Sequence, residues 1–239
     1  MKVCVITDNT FLFEGLEKIL EDPCYSRYSF SYFCSDMGSP SPLADRLPAI
    51  RLKDQNDSFF SAYDLFLSLH CKQLFPAAMV SNHRCLNVHP GYNHYNRGWY
   101  PQVFSILNGL PAGATIHVID EKLDHGPIIC RQEVPVHTWD TSLDIYKRIL
   151  QAELDLLAEW LPSLLCGEYE TFVPEEDGNL NLRADFLALC ELDLNETLSW
   201  REAIDRLRAL SFAGYRNAFF YDDEGNKIYL DIHLEKAAN

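Results

Sequence analysis

The sequence predicts an α/β fold: a Rossmann-like, mostly parallel sheet flanked by helices, with a small C-terminal region of helix and β-hairpin. Three observations carry this. Short unbroken apolar runs, such as Val3-Cys4-Val5-Ile6 and Leu65-Phe66-Leu67, read as strands buried on both faces. Segments with apolar residues at helical spacing alternate with them, the order expected of parallel strands joined by crossover helices. After position 170 that alternation stops.

The elements follow in order. The first strand ends at Thr7-Asp8-Asn9, a polar set suited to a turn or a helix cap. Phe13, Leu16, Ile19 and Leu20 then step as a helix. Residues 28–33 are a candidate second strand, and 38–48, with Pro40, Pro42 and Pro48, read as loop. Residues 65–69 form a strand and 76–81 a short helix opened by proline. Residues 85–88 form a strand that runs into His89-Pro90-Gly91. Pro101 opens a helix through 108, and 114–119 and 128–134 are strands joined by the loop 120–127. Residues 142–165 make a long amphipathic helix through Tyr146, Ile149, Leu150, Leu154, Leu157 and Leu161. Residues 170–195 read as mostly irregular, 197–210 as a helix, and 218–221 with 228–233 as a hairpin. The division falls near 170, giving units 1–170 and 171–239.

A chain of 239 residues can bury a core without disulfides. A formal charge of −15 argues against nucleic acid as a partner, since such binding neutralises phosphates, although a local basic cluster can still hold a small anion. The eight cysteines include no Cys-x-x-Cys pair, so no zinc or other metal is expected, and Cys4, Cys71 and Cys130 read as core. The N-terminus lacks the apolar stretch of a signal peptide, and no run of about 18 apolar residues could span a bilayer. A cytoplasmic location without a membrane partner is the expectation.

The chemistry is written around Asn87-Val88-His89. Residues two apart in a strand share a face, so an amide and an imidazole project together at a strand end. Ligands of open α/β sheets gather there. The amide is a donor to an oxyanion, and the imidazole can donate to the same oxygen or move a proton. Asp120-Glu121-Lys122-Leu123-Asp124 supplies carboxylates that can orient the histidine. The segment from Tyr92 to Pro101 combines rings, amides and one cation. Asn93, Tyr95, Asn96, Arg97 and Trp99 are its candidates for substrate contact, because arginine can fork two phosphate oxygens and aromatic faces can stack. Tyr100 reads as core. Apart from His89 and His117, the histidines read as structural or surface residues.

Asn87-Val88-His89-Pro90-Gly91, Gly109, Gly113-Ala114-Thr115-Ile116-His117, Asp120 and Asp124-His125-Gly126-Pro127-Ile128-Ile129 resemble, in order and spacing, the formyltransferases that use 10-formyltetrahydrofolate. Residues 92–101 resemble those of the nucleotide-sugar N-formyltransferases within that family. The resemblance implies formyl transfer to the amine of a dTDP-linked 4-amino-4,6-dideoxyhexose, with a 3-amino sugar as the alternative, in the synthesis of a surface polysaccharide such as O-antigen. It assigns Asn87, His89 and Asp124 to catalysis and places His117 in the lining of the site. Folate is expected along 65–79 and the loop through Asp124, touching Leu69, Lys72, Leu74, Met79, Asp120 and Asp124. Lys72 and Gln73, just past the strand end, are candidates for the formyl group or the nucleotide. In the tail, Tyr215, Arg216 and Phe219 are expected on the nucleotide, and the aromatic hairpin is a candidate homodimer edge. On this reading 1–170 is the catalytic domain and 171–239 contacts nucleotide and dimerises.

Two relatives of that chemistry fit less well. Asp8-Asn9-Thr10-Phe11 stands where a glycinamide ribonucleotide formyltransferase would have a glycine-rich phosphate loop. Glu175-Glu176-Asp177 is acidic where a methionyl-tRNA formyltransferase would begin a basic domain. A silent folate- or nucleotide-binding module would not need Asn87, His89 and Asp124 together. Loss of one oxyanion donor costs ~10²–10³ in turnover, and Asn87→Ala is expected to lose formyl-transfer kcat by that order in a single-turnover assay.

Overall fold

The computed structural model describes residues 1–38 and 40–237; position 39 of the expected 38–48 loop lies outside the described residues. Strand β1 (Lys2–Thr7) leads into α1 (Thr10–Ile19), β2 (Ser29–Ser35) and the short β3 (Ala49–Ile50). The one-turn α2 (Asp57–Phe60) precedes β4 (Leu65–Leu69), and α3 (Ala77–Asn82) precedes β5 (Cys85–His89). Then come β6 (Arg97–Gly98), α4 (Pro101–Asn108), β7 (Ala112–Val118), β8 (Ile128–Val134) and the long α5 (Ser142–Cys166). The tail holds β9 (Leu180–Asn181), α6 (Arg183–Cys190), α7 (Trp200–Leu210), β10 (Phe219–Tyr221) and β11 (Lys227–Tyr229).

The main sheet has seven strands in the order β3-β2-β1-β4-β5-β7-β8. The first five run parallel. Strand β7 turns antiparallel against β5, and β8 against β7. The chain leaves β1 to build β2 on one side and returns to build β4 on the other. Such a reversal of order opens a crevice past the ends of β1 and β4, and the neighbouring β5 ends one strand further on at His89.

The apolar runs are continuous because the inner strands bury both faces. Val3, Val5, Leu65 and Leu67 enter one core cluster, and Cys4, Ile6 and Phe66 enter the other, on the opposite face. Helix α1 is capped by Asn9, whose side-chain oxygen accepts the Leu12 amide at 3.1 Å. Helix α5 lays Ile145, Ile149, Ala152 and Leu156 into the larger cluster.

The expected irregular stretch at 170–195 is corrected by three features: a bridge between Phe172 and Ile128, strand β9 and helix α6. Strand β9 has two residues and shows no period. Helix α6 buries only Phe186 and Cys190 while Leu187 stays exposed, so its apolar residues do not fall on one face. The short β3 and α2 went unread for the same lack of length. The apolar core also runs across position 170: Phe186, Cys190, Ala209, Leu210 and Ala218 share a cluster with Val103, Ile145 and Leu157.

Arg208 fastens the tail. It is buried, and its guanidinium donates to the carbonyls of His137 and Asp140, both at 3.0 Å. Each buried acceptor left without a donor costs ~1–3 kcal/mol. Arg208→Ala is therefore expected to lower the urea midpoint at unchanged slope, a loss of stability without a change in the surface exposed on unfolding.

Candidate active site

The antiparallel register sets Asn87 opposite His117 and His89 opposite Thr115. Thr115 staples the turn that follows β5, donating from Oγ1 to the Gly91 carbonyl at 2.7 Å and accepting the Asn93 amide at 3.0 Å. Asp124 comes from the loop between β7 and β8, with φ +47° in the left-handed region. Two contacts hold it there. Asn93 Nδ2 donates to the Asp124 carbonyl at 2.8 Å. At Gly126 a Cβ would stand 1.8 Å from the Val118 carbonyl oxygen, so only glycine lets the loop close on β7.

The Asp124 carboxylate is the hub. Its Oδ1 accepts from Asn87 Nδ2 at 3.2 Å and lies 3.5 Å from His89 Nδ1 and 3.7 Å from His117 Nε2. Its Oδ2 accepts the Gly98 amide at 3.2 Å. His117 Nδ1 is 2.8 Å from the Val118 carbonyl, which can only accept, so Nδ1 carries the proton and Nε2 accepts from Asn87 Nδ2 at 3.2 Å. Both bonds from Asn87 are long, and a stronger acceptor could take one of its N–H groups. His89 Nε2 is buried and has no hydrogen-bond partner among the described residues.

Burial pulls the His89 imidazole down to about 4, although the Asp124 charge works the other way. For Asp124 burial opposes ionisation, but His89, His117 and the Gly98 amide outweigh it and hold the carboxyl at about 2. At neutral pH the pair is therefore a neutral imidazole beside a carboxylate.

A second polar cluster lies where β1 and β4 end. Asn9 Oδ1 is committed to its helix cap, so Nδ2 is the atom facing His70 Nδ1 and the Tyr146 hydroxyl, both at 3.1 Å. His70 Nδ1 must then accept, and Nε2 donates to Glu153 at 2.7 Å. Glu153 is fully buried on α5, and burial raises its pKa against the opposing effect of His70. Tyr146 packs on Phe212 (centroids 5.7 Å) and Phe212 on Tyr215 (5.5 Å), which brings the tail to this end of the sheet. Sequence reasoning missed Glu153 and Tyr146 in this role; a lone carboxylate on the apolar face of 142–165 was the available signal.

The structure joins Asn87, His89, His117 and Asp124. The other expected contacts take these places. Leu69 and Met79 are fully buried, Met79 beside Cys4 and Phe66, so their side chains serve the core. Gln73 accepts the Leu52 amide and donates to the Ile50 carbonyl, both at 2.8 Å, tying the loop after β4 to β3. Asn93 holds Asp124, and Asn96 is fully buried among Ser105, Asn108, Asn179 and Asn181. Arg97 is buried; its Nη2 donates to the Asp177 carbonyl at 3.1 Å, and its Nε has no hydrogen-bond partner among the described residues. Asp120 accepts the Lys122 amide at 2.9 Å and pairs with His125 at 2.8 Å. Phe219 has Lys227 Nζ 3.4 Å over its ring.

The remaining candidates are open. Lys72 and Leu74 are exposed on the loop after β4, with the Lys72 amide tied to Asp8 at 3.0 Å. Trp99, Tyr215 and Arg216 are exposed, and Tyr95 is half-buried against His94. Tyr100 packs on Phe186 at 4.2 Å between centroids, as core. Among the described residues no cluster of His, Cys, Asp or Glu could hold a metal ion, and no helix is long and apolar enough to cross a membrane.

Two family profiles match the sequence: Formyl transferase at residues 55–161 and N-formyltransferase dimerization C-terminal domain at 185–236. The chain is 45% identical over 197 residues to the dTDP-4-amino-4,6-dideoxyglucose formyltransferase of Mycobacterium bovis, spanning 82% of this chain and 84% of that one. It is similar to the crystal structure of a sugar N-formyltransferase from Shewanella sp. FDAARGOS_354, with TM-score 0.96, 38% identity and coverage of 100% and 99%. It is similar also to a 4-N formyltransferase from Francisella tularensis, with TM-score 0.92, 39% identity and coverage of 99% and 98%.

The protonation of His89 and Asp124 sets a pH dependence. The unfolded chain takes up its histidine proton near 6.5, whereas the folded one resists it until about 4. Stability from this residue is full above 6.5 and is lost as pH falls through 4. The Asp124 share is lost only lower, between 3.8 and 2. Scanning calorimetry from pH 7 to 4 is expected to show a falling Tm, with a shallower fall in His89→Gln.

Proposed function

The chain belongs to the sugar N-formyltransferase family, and from that membership we propose that it transfers a formyl group from 10-formyltetrahydrofolate to the amine of a dTDP-linked 4-amino-4,6-dideoxyhexose of glucose configuration. The observation that carries this reading is the convergence of Asn87, His89 and Asp124 at the end of β5. The choice of the 4-amino sugar is supported by the mycobacterial and Francisella relatives.

In this mechanism the neutral His89 takes a proton from the attacking amine. With Nδ1–H turned to Asp124, the unpartnered Nε2 is the basic atom. Asn87 redirects an N–H to the formyl oxygen as negative charge grows there. Asp124 stabilises the imidazolium while it lasts and keeps the ring oriented. The new bond is amine nitrogen to formyl carbon. The bond that breaks is formyl carbon to the folate nitrogen, which leaves carrying a proton. No covalent enzyme intermediate is required.

We place the folate along the exposed Lys72 and Leu74 and the loop through Asp124. Lys72 and Arg216 supply charge for the diphosphate, and Tyr215 a face for thymine. The match of residues 185–236 to a dimerization domain supports a homodimer, and exposed apolar side chains of the tail such as Leu187, Leu194, Trp200 and Tyr221 are available to it. We place the enzyme in the cytoplasm, with which its eight free cysteines are compatible, and in surface polysaccharide synthesis.

The test is incubation with 10-formyltetrahydrofolate and a panel of dTDP-linked 3-amino and 4-amino dideoxysugars, read by mass. A formylated product from the 4-amino glucose-configured sugar is expected. Product from a 3-amino sugar alone overturns the substrate, and no product with any sugar overturns the reaction.

A further inference from the structure

We infer that residues 177–181 act as a positioning strap for the Asp124 carboxylate, with Asn179 as its principal residue. The segment lies between the two matched profiles, which end at 161 and resume at 185. The inference rests on the formyl-transfer reading, in which Asp124 works through His89.

The geometry is that of a strand pair used as an aiming device. Strand β6 runs parallel to β9, pairing Arg97 with Leu180 and Gly98 with Asn181. The Arg97 amide donates to the Asn179 carbonyl at 3.0 Å, and the Trp99 amide to the Asn181 carbonyl at 2.9 Å. With the amides of 97 and 99 committed to the strap, the amide between them serves Asp124: Gly98 N–H donates to Asp124 Oδ2 at 3.2 Å. Gly98 has φ +91°, and a Cβ there would stand 2.4 Å from the Asn181 carbonyl oxygen, so the strap lies as close as glycine permits.

Asn179 secures the start of this stretch. Its Oδ1 accepts the Asn96 amide at 2.9 Å, and its Nδ2 donates to Asn96 Oδ1 at 2.8 Å. That oxygen accepts also from Asn108 at 2.7 Å and Asn181 at 3.2 Å. Asn96 is fully buried with φ +50°, a conformation that needs such support in a residue other than glycine. Asp177 adds its carbonyl to Arg97 at 3.1 Å. Upstream, Asn93 of the same saddle holds the Asp124 carbonyl. The 93–98 segment therefore grips Asp124 by backbone and carboxylate, and the strap grips the segment.

Small misplacements of catalytic groups cost about 10²-fold in rate. Asn179→Ala is expected to lower kcat by about that order with KM for both substrates unchanged, and Asn179→Asp, which keeps the acceptor for the Asn96 amide but sets a carboxylate oxygen against Asn96 Oδ1, by at least as much. In an Asp124→Ala background Asn179→Ala is expected to remove no further activity. Hydrogen exchange at the Gly98 amide should accelerate in Asn179→Ala, and in Asn179→Asp should the alanine variant not fold. Wild-type kcat in the alanine variant, an equal loss in the Asp124→Ala background, or unchanged Gly98 exchange in the folded variant overturns the strap. Absence of turnover in the wild-type enzyme overturns the reaction instead, and the exchange measurement still decides the strap.

Discussion

A carboxylate that must stay charged while largely shielded from water sets the terms for this molecule. Removing an ion from water is costly unless hydrogen bonds and opposite charge replace the lost solvation. Asp124 meets that demand with the Asn87 side-chain amide and the His89 ring from β5 and with the Gly98 backbone amide from the segment beyond it. Those parts can converge only if β5 and β7 pair in one register, the loop between β7 and β8 folds back, and the 93–98 segment crosses in front of it. The fold satisfies one half-buried charge by bringing distant parts of the chain together.

The same demand separates the two titrating partners. Burial favours a neutral His89, and burial alone would favour a neutral Asp124 as well. The carboxylate is rescued by its donors, whereas the imidazole has little to retain a proton except that carboxylate. The result is a base that is unprotonated at rest next to a charge that welcomes a transient cation. His70 offers a contrast. Its ring also faces a carboxylate, the buried Glu153, but both of its nitrogens are spent on protein, one on Asn9 and one on Glu153. It holds the end of β4, from which Lys72 reaches into solvent, and has no free nitrogen with which to move a proton.

How far the sequence spoke depended on the range of the interaction. Strands β1 and β4 were legible because burial on two faces leaves an unbroken apolar run. Asn87 and His89 were legible because alternation within one strand puts them on one face. Asp124 was harder, since Asp120, Glu121 and Asp124 share one loop and nothing local says which turns inward. Only the ordered motif singled it out, and contacts from Asn93 and Gly126 make the turn. Asn93, Asn96 and Arg97 were read as substrate contacts because amides and a cation in a loop suggest an exposed surface. The partners of Asn96 and Arg97, Asn179 and Asp177, are some 80 residues away, and no periodicity announces a two-residue strand.

The placement of that strand has a bearing on how relatives of this chain could be recombined. The exchangeable halves of a two-part enzyme are usually sought where sequence patterns change, here near position 170. A chimera spliced there would import the acceptors of the Arg97 and Trp99 amides from a stranger, along with a foreign partner for Asn96. The mechanical seam of this protein lies beyond Asn181, where α6 begins. Tails swapped at that point would leave the host's own chain wrapped behind its carboxylate.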